Sequence, residues 1–207
     1  GRLGRIGGQP VTSLRALVPF KGQLFIAPTG AAQGNPNTSR VPEIYASRDP
    51  VRGNWILVNE PGFGDPGNLT IFEMAVFEDR LYAGTLNNQG FQLWRTAAED
   101  RPPYRWEKVL EGGAGRGPLN QLIASMQVFR GALYLGTGIQ NGGYDYTHKI
   151  GPASAEMLRV HGDGSWDLIV GSARDTVQGF KRPLSGLTAG FGNFFNAYLW
   201  RMGVHDG

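Results

Sequence analysis

The stretch MAVFEDRLYAGT at residues 74–85 returns as MQVFRGALYLGT at 126–137, and MGVHDG at 202–207 begins it again. The repeat constrains the architecture more than any single motif, because self-similarity at a fixed spacing marks a chain built from stacked copies of one unit. The three Met residues, Met74, Met126 and Met202, lie 52 (126 − 74) and 76 (202 − 126) positions apart. An earlier copy, LVPFKGQLFIAPT at 17–29, puts Phe20 where Phe77 and Phe129 stand.

Each unit continues in one order. A third run follows as EIYAS (43–47), QLWRT (92–96) and EMLRV (156–160), then a fourth as WILVNE (55–60), WEKVLE (106–111) and WDLIVG (166–171). All are short, rich in β-branched and aromatic residues, and bounded by Gly, Pro, Asn or Asp, which is how strands read. None has the length or the 3.6-residue period of a helix. Four strands per repeat predict an all-β protein, a β-propeller of four-stranded antiparallel blades. About three blades and the first strand of a fourth are expected: residues 1–16 end a preceding inter-blade loop, 17–70, 71–121 and 122–197 are blades, and 198–207 start the next. Three blades and a strand do not close a ring, so an incomplete ring or an assembly that completes it is expected.

With 32 Gly and 13 Pro among 207 residues, the chain has the turn content that many short strands need. It has no Cys, which removes disulfides and thiolate metal sites. No run approaches the roughly 20 apolar residues of a membrane-spanning helix. The net charge of +3 comes from scattered Arg and Lys rather than a basic stripe interleaved with aromatics, so nucleic acid is not an expected partner. The three His show no metal-ligand spacing, and neither a metal nor a cofactor is expected.

The segment SRDPVRGNW (47–55), between the third and fourth runs, resembles the Asp-box turn of bacterial sialidase-like propellers; AEDRPPYRW (98–106) and HGDGSW (161–166) are looser copies. In that family the box is structural, its Asp capping a turn and its aromatic packing between strands. The stretch at 62–96 is similar to repeats of bacterial and archaeal propeller proteins that are often exported, which implies an extracellular or periplasmic location. Catalytic sialidases add an arginine triad, a Tyr nucleophile with a Glu partner, and a Phe/Tyr-Arg-Ile-Pro motif. This sequence offers only Gly4-Arg5-Ile6-Gly7, so no catalytic residue is assigned.

Loop lengths point to a functional face. The turns between first and second strands are two residues long: Lys21-Gly22, Glu78-Asp79 and Arg130-Gly131. The long segments, 30–42, 61–70, 112–121, 138–154 and 172–197, all leave the opposite edge of the blades, where binding loops concentrate. Three of them carry Gly62-Phe63-Gly64, Gly115-Arg116-Gly117 and Gly190-Phe191-Gly192, ahead of Asn68, Asn120 and Asn196. Each Asn stands six residues before its Met (74 − 68, 126 − 120, 202 − 196). It either bonds its own loop backbone or contacts a ligand at the channel mouth, with Phe63, Arg116 and Phe191 at the rim. Tyr144, Asp145, Tyr146 and His148 gather aromatic faces, a carboxylate and an imidazole, the groups of a sugar or peptide site. The expected function is a noncatalytic scaffold that binds a carbohydrate, peptide or protein partner on this face. Two alternatives stand beside it: a sialidase-like glycoside hydrolase or lyase with catalytic residues elsewhere, and a structural subunit of a larger complex.

Overall fold

The structure, a computed structural model, describes residues 4–6, 9–30, 38–39 and 41–205. Most of the long 30–42 segment and the last two residues lie outside the described residues. Among the described residues sixteen strands follow one another in chain order. A small hairpin, β1 (Gly4–Ile6) and β2 (Gln9–Val11), comes first. The first four-stranded unit is β3 (Ser13–Phe20), β4 (Gln23–Thr29), β5 (Tyr45–Ser47) and β6 (Ile56–Leu57). The second is β7 (Asn68–Phe77), β8 (Arg80–Asn87), β9 (Leu93–Thr96) and β10 (Glu107–Leu110). The third is β11 (Leu122–Phe129), β12 (Ala132–Gly138), β13 (Met157–Val160) and β14 (Trp166–Val170), and a hairpin of β15 (Arg174–Thr176) and β16 (Gly179–Lys181) follows. Within each unit, consecutive strands pair antiparallel. The result is an all-β, propeller-like succession of meanders.

Local chemistry explains the repeat. The turns Lys21-Gly22, Glu78-Asp79 and Arg130-Gly131 hold both residues at positive φ, the type I′ geometry that matches strand twist in a two-residue hairpin. The Thr of each Gly-Thr pair ties the second strand to the third. Thr85 N–H donates to the Gln92 carbonyl while Thr85 Oγ1 accepts from Gln92 N–H, and Thr137 makes the same two bonds with Glu156. The Gly lets the next unit come close: a Cβ on Gly84 would fall 2.8 Å from Ile123 Cβ, and one on Gly136 would fall 2.6 Å from Leu199 Cβ. Ile123 and Leu199 each stand three residues after their Asn, so the start of the fourth unit seats on the third as the third seats on the second.

The core lies between units. Phe20, Phe25, Ile44, Val58, Ile71, Met74 and Leu81 fill the space between the first and second. Tyr82, Leu93, Ile123, Leu133, Leu158, Trp166 and Leu168 fill the next. Trp106 stands just before β10, packs into the first of these cores and donates its indole N–H to the Val58 carbonyl of the preceding unit. Trp166 opens β14 buried in the second core, whereas Trp55 is half-buried.

Three expectations need adjusting. The region before residue 17 holds the β1–β2 hairpin, and the first unit's inner strand begins at Ser13. The 172–197 segment contains the β15–β16 hairpin. Leu199–Met202 does not form a strand; pairing there is confined to the Gly138–Tyr198 bridge and the bond from Leu199 N–H to the Thr137 carbonyl. That bridge is in the register of the Leu122–Leu86 pair that joins β11 to β8, each partner two residues past its Asn or Gly.

Candidate binding face

The loops between units share one turn. Gly62-Phe63-Gly64, Gly113-Ala114-Gly115 and Gly190-Phe191-Gly192 are three consecutive residues in left-handed conformation. This corrects the alignment of the second loop, in which Arg116, at φ −96, lies outside the turn and Ala114 holds the central place. The first Gly carbonyl of each turn accepts the side-chain amide of its Asn: Asn68 to Gly62, Asn120 to Gly113 and Asn196 to Gly190, at 2.9, 3.0 and 2.9 Å. Of the two readings of these Asn, the geometry brings each to its own loop backbone. Asn68 and Asn120 are buried and Asn196 is exposed.

Each buried Asn also joins its unit's second and third strands. Asn68 donates to Gln92 Oε1 and accepts from Asn87. Asn120 donates to Glu156 Oε2 and accepts from Thr137 Oγ1. Glu156, fully buried, further receives Ser172 N–H, the Arg174 guanidinium at 2.9–3.0 Å and Arg116 Nε at 3.4 Å. Burial holds the Arg116 guanidinium below its usual range, against the pull of Glu156. Arg116 is therefore an internal residue rather than a rim residue. Phe63 is another correction: it is 8 % exposed, stacked on Trp94 at 4.7 Å and edge-on to Trp106 at 5.2 Å, so it cannot meet a partner.

The 138–154 loop is organised around Asp145. Its buried carboxylate accepts from Gln121 Nε2, from Thr147 and His148 N–H, and sits 2.7 Å from His148 Nδ1. Burial alone would raise this carboxyl, but the Gln121 and His148 hydrogen bonds outweigh it and hold it below its usual value. Beside it Tyr144 and Tyr146 meet edge-to-face at 4.9 Å, with Tyr146 73 % exposed. Gln121 also bonds Asn88, and Ser154 bonds the Phe194 carbonyl. These contacts bring the Asn ends of the inner strands, the Tyr144–His148 segment and the 190–196 turn onto one side.

A second group on this side was not identified from the sequence. Arg15, Phe72, Ala124 and Trp200 occupy the same place on four successive units: Phe72, Ala124 and Trp200 stand four residues past their Asn, and Arg15 and Phe72 five before Phe20 and Phe77. They converge. The Arg15 guanidinium lies 4.3 Å over Phe72 and 5.7 Å from the Trp200 ring, and Phe72 meets Trp200 edge-on at 6.1 Å. These contacts bring the inner strands of the first two units and the segment after Tyr198 together at one point, called the centre. Tyr198, 5.4 Å from Trp200, links the centre to the 138–154 loop by accepting Gly142 N–H on its hydroxyl. Burial raises the Tyr198 hydroxyl and also the half-buried Glu73 carboxyl, the latter against Met74 N–H, Arg201 and Arg15. Position in the repeat, rather than residue type, was the signal that could have found this group.

Turn-capping by Asp recurs between third and fourth strands. Asp49 Oδ1 accepts Arg52 N–H before Gly53, and Asp163 Oδ1 accepts Ser165 N–H. Among the described residues no helix is long and apolar enough to cross a membrane, and no group of three or more His, Asp or Glu could hold a metal ion.

No protein-family model matches the chain, and no curated protein matches it. Among solved structures it is similar to a GH43_1 enzyme from Xanthomonas citri complexed with xylose, at 16% identity and a TM-score of 0.39, covering 78% of this chain and 57% of that one. It is also similar to CoXyl43, a GH43 beta-xylosidase/alpha-arabinofuranosidase from a compost microbial metagenome in complex with xylotriose, at 14% identity and a TM-score of 0.40, covering 82% and 61%. The chain thus spans about three fifths of the length of these structures. Likeness at this level carries no argument about activity or substrate.

Proposed function

We propose that this protein is a noncatalytic, propeller-like scaffold that binds a carbohydrate on its long-loop face. The observation that carries this reading is the division of labour among side chains there. Asp145 and Glu156 are committed to internal hydrogen bonds, while the rings of Tyr146 and Trp200 (47 % exposed) are open and backed by Tyr144, Tyr198 and Phe72. Open rings flanked by a few fixed polar groups suit a sugar, which offers apolar C–H faces and hydroxyl edges. Titration calorimetry against a panel of neutral oligosaccharides tests it. The Tyr146→Ala and Trp200→Ala variants are expected to weaken binding by about 1–3 kcal/mol each, as aromatic anchors do. Binding that neither change affects refutes the assignment.

Glu73 favours a second reading, a glycoside hydrolase or lyase. A carboxyl raised by burial near the centre of the inner strands, close to Arg15 and Arg201, is an acid/base candidate. Hydrolysis of chromogenic glycosides that is lost in Glu73→Gln supports it; activity unchanged in that variant removes it.

A further inference from the structure

The turn and Asn of the fourth unit are built like those before them, yet their side chains lack the cover their counterparts have. The central turn residue is 8 % exposed at Phe63 and 4 % at Ala114, but 42 % at Phe191. Phe63 is covered by Trp94, in the third strand of the unit that its turn leads into, and by Trp106, just before the fourth. Asn68 and Asn120 each bond their turn, a hydroxyl or amide on their unit's second strand, and Gln92 or Glu156 at the third. Asn196 keeps the bond to its turn and is exposed. Phe194, Phe195 and Val204 extend the open apolar surface. On the other side, the seat of Leu199 over Gly136 is complete.

We propose that residues 191–204 are the docking face for one further four-stranded unit of this same repeat. Continuity with the two interfaces already present dictates its chemistry. Its second strand pairs with Leu199–Met202 and presents an apolar residue opposite Met202, as Ala83 and Leu135 stand opposite Met74 and Met126. A Thr or Asn on that strand donates to Asn196 Oδ1. A Gln or Glu at the third strand accepts from Asn196 Nδ2, and an aromatic or large apolar wall covers Phe191. Trp200 falls within this segment, but its ring is turned to Arg15 and Phe72 and belongs to the sugar site; the docking contacts are those of Phe191, Asn196, the Leu199–Met202 backbone and Met202.

The chain has no Cys, so a single introduced thiol reports on its own site. The experiment measures thiol-labelling rates in the protein for Phe191→Cys, for Ala114→Cys at the same repeat position, and for Val51→Cys, which is 95 % exposed. Phe191→Cys is expected to label at least about tenfold more slowly than Val51→Cys and close to Ala114→Cys, because a covered site reacts only on local opening. A photo-cross-linking residue at Asn196 should capture a segment carrying Thr or Asn on a strand of this repeat. Labelling of Phe191→Cys at the Val51→Cys rate overturns the proposal, and so does a cross-link to a polypeptide without the repeat.

Discussion

Replacing Glu156 by Ala removes the acceptor around which two buried guanidinium groups and the start of the 172–197 segment are arranged. The carboxylate is fully buried, and the side chains of Arg116 and Arg174 are 12% and 11% exposed. Taking one partner from a buried ion pair costs about 3–5 kcal/mol, because the remaining charge is left without compensation in a poor solvent. Both arginines keep carbonyl acceptors: Ser154 and Leu119 for Arg116, Ala114 and Ser172 for Arg174. The lower end, about 3 kcal/mol, is therefore expected. For a domain of this size, that lowers Tm by roughly 6–12 °C. Glu156→Gln keeps acceptors for Asn120 and Ser172 and mimics Gln92 at the same place in the second unit, so about 1–2 kcal/mol is expected for it. Calorimetric unfolding of the two variants beside the parent measures both values. The Ala variant should also become cleavable by protease within 172–190, since Ser172 and Arg174 lose their anchor. A loss below about 0.5 kcal/mol for Ala, the range of ordinary surface changes, would refute the account.

The Asn series separates scaffold from periphery. Asn68→Ala should cost about 1–3 kcal/mol through orphaned buried partners, and Asn196→Ala, with one bond at an exposed site, less than about 1 kcal/mol; equal losses by urea titration would contradict the burial difference. Gly84→Val should destabilise by about 1–3 kcal/mol, since its Cβ meets Ile123 and Met126, and a neutral result would mean the second and third units do not pack so closely. Asp145 should contribute to acid unfolding. Its folded carboxyl lies below its unfolded value, so its stabilisation is complete above the usual Asp range and is lost as pH falls through the depressed folded value. His148→Ala should shrink the stability difference between neutral pH and pH about 3; an unchanged difference would show that His148 does not hold that carboxyl down.

The strands and their order were readable because the residues that make them recur for a physical reason. Gly84 and Gly136 are required by close approach, Thr85 and Thr137 by bonds to the third strand, and the two-residue turns by strand twist. The spacing from Asn to Met was readable for the same cause. The second loop was misaligned because Gly112, Gly113, Gly115 and Gly117 offer two Gly-x-Gly frames; only the amide of Asn120 reaching the Gly113 carbonyl selects between them. Phe63 and Phe191 look identical in sequence and differ in the structure, because what covers Phe63 lies some 30 and 40 residues further along, at Trp94 and Trp106.

The centre of the inner strands was unreadable for a different reason, and that reason bears on function. Where the repeat serves packing, residue type is kept: Asn68, Asn120 and Asn196 do the same work on their own turns. Four residues further on, position is kept but type is not, giving Phe72, Ala124 and Trp200, with Arg15 at the corresponding place in the first unit. A position that only had to fill a symmetric core would tolerate one side chain in every unit. Arg15 lies over Phe72 with its Nε buried and without a hydrogen-bond partner, an arrangement that lowers its guanidinium through burial. Such a group costs stability that packing alone does not require. On the binding function proposed above, the varied positions rather than the repeated ones are where its chemistry is to be sought. Arg15→Met provides the comparison: a site that serves only packing should gain or hold stability on this change, whereas a binding site should lose sugar affinity while its Tm holds or rises.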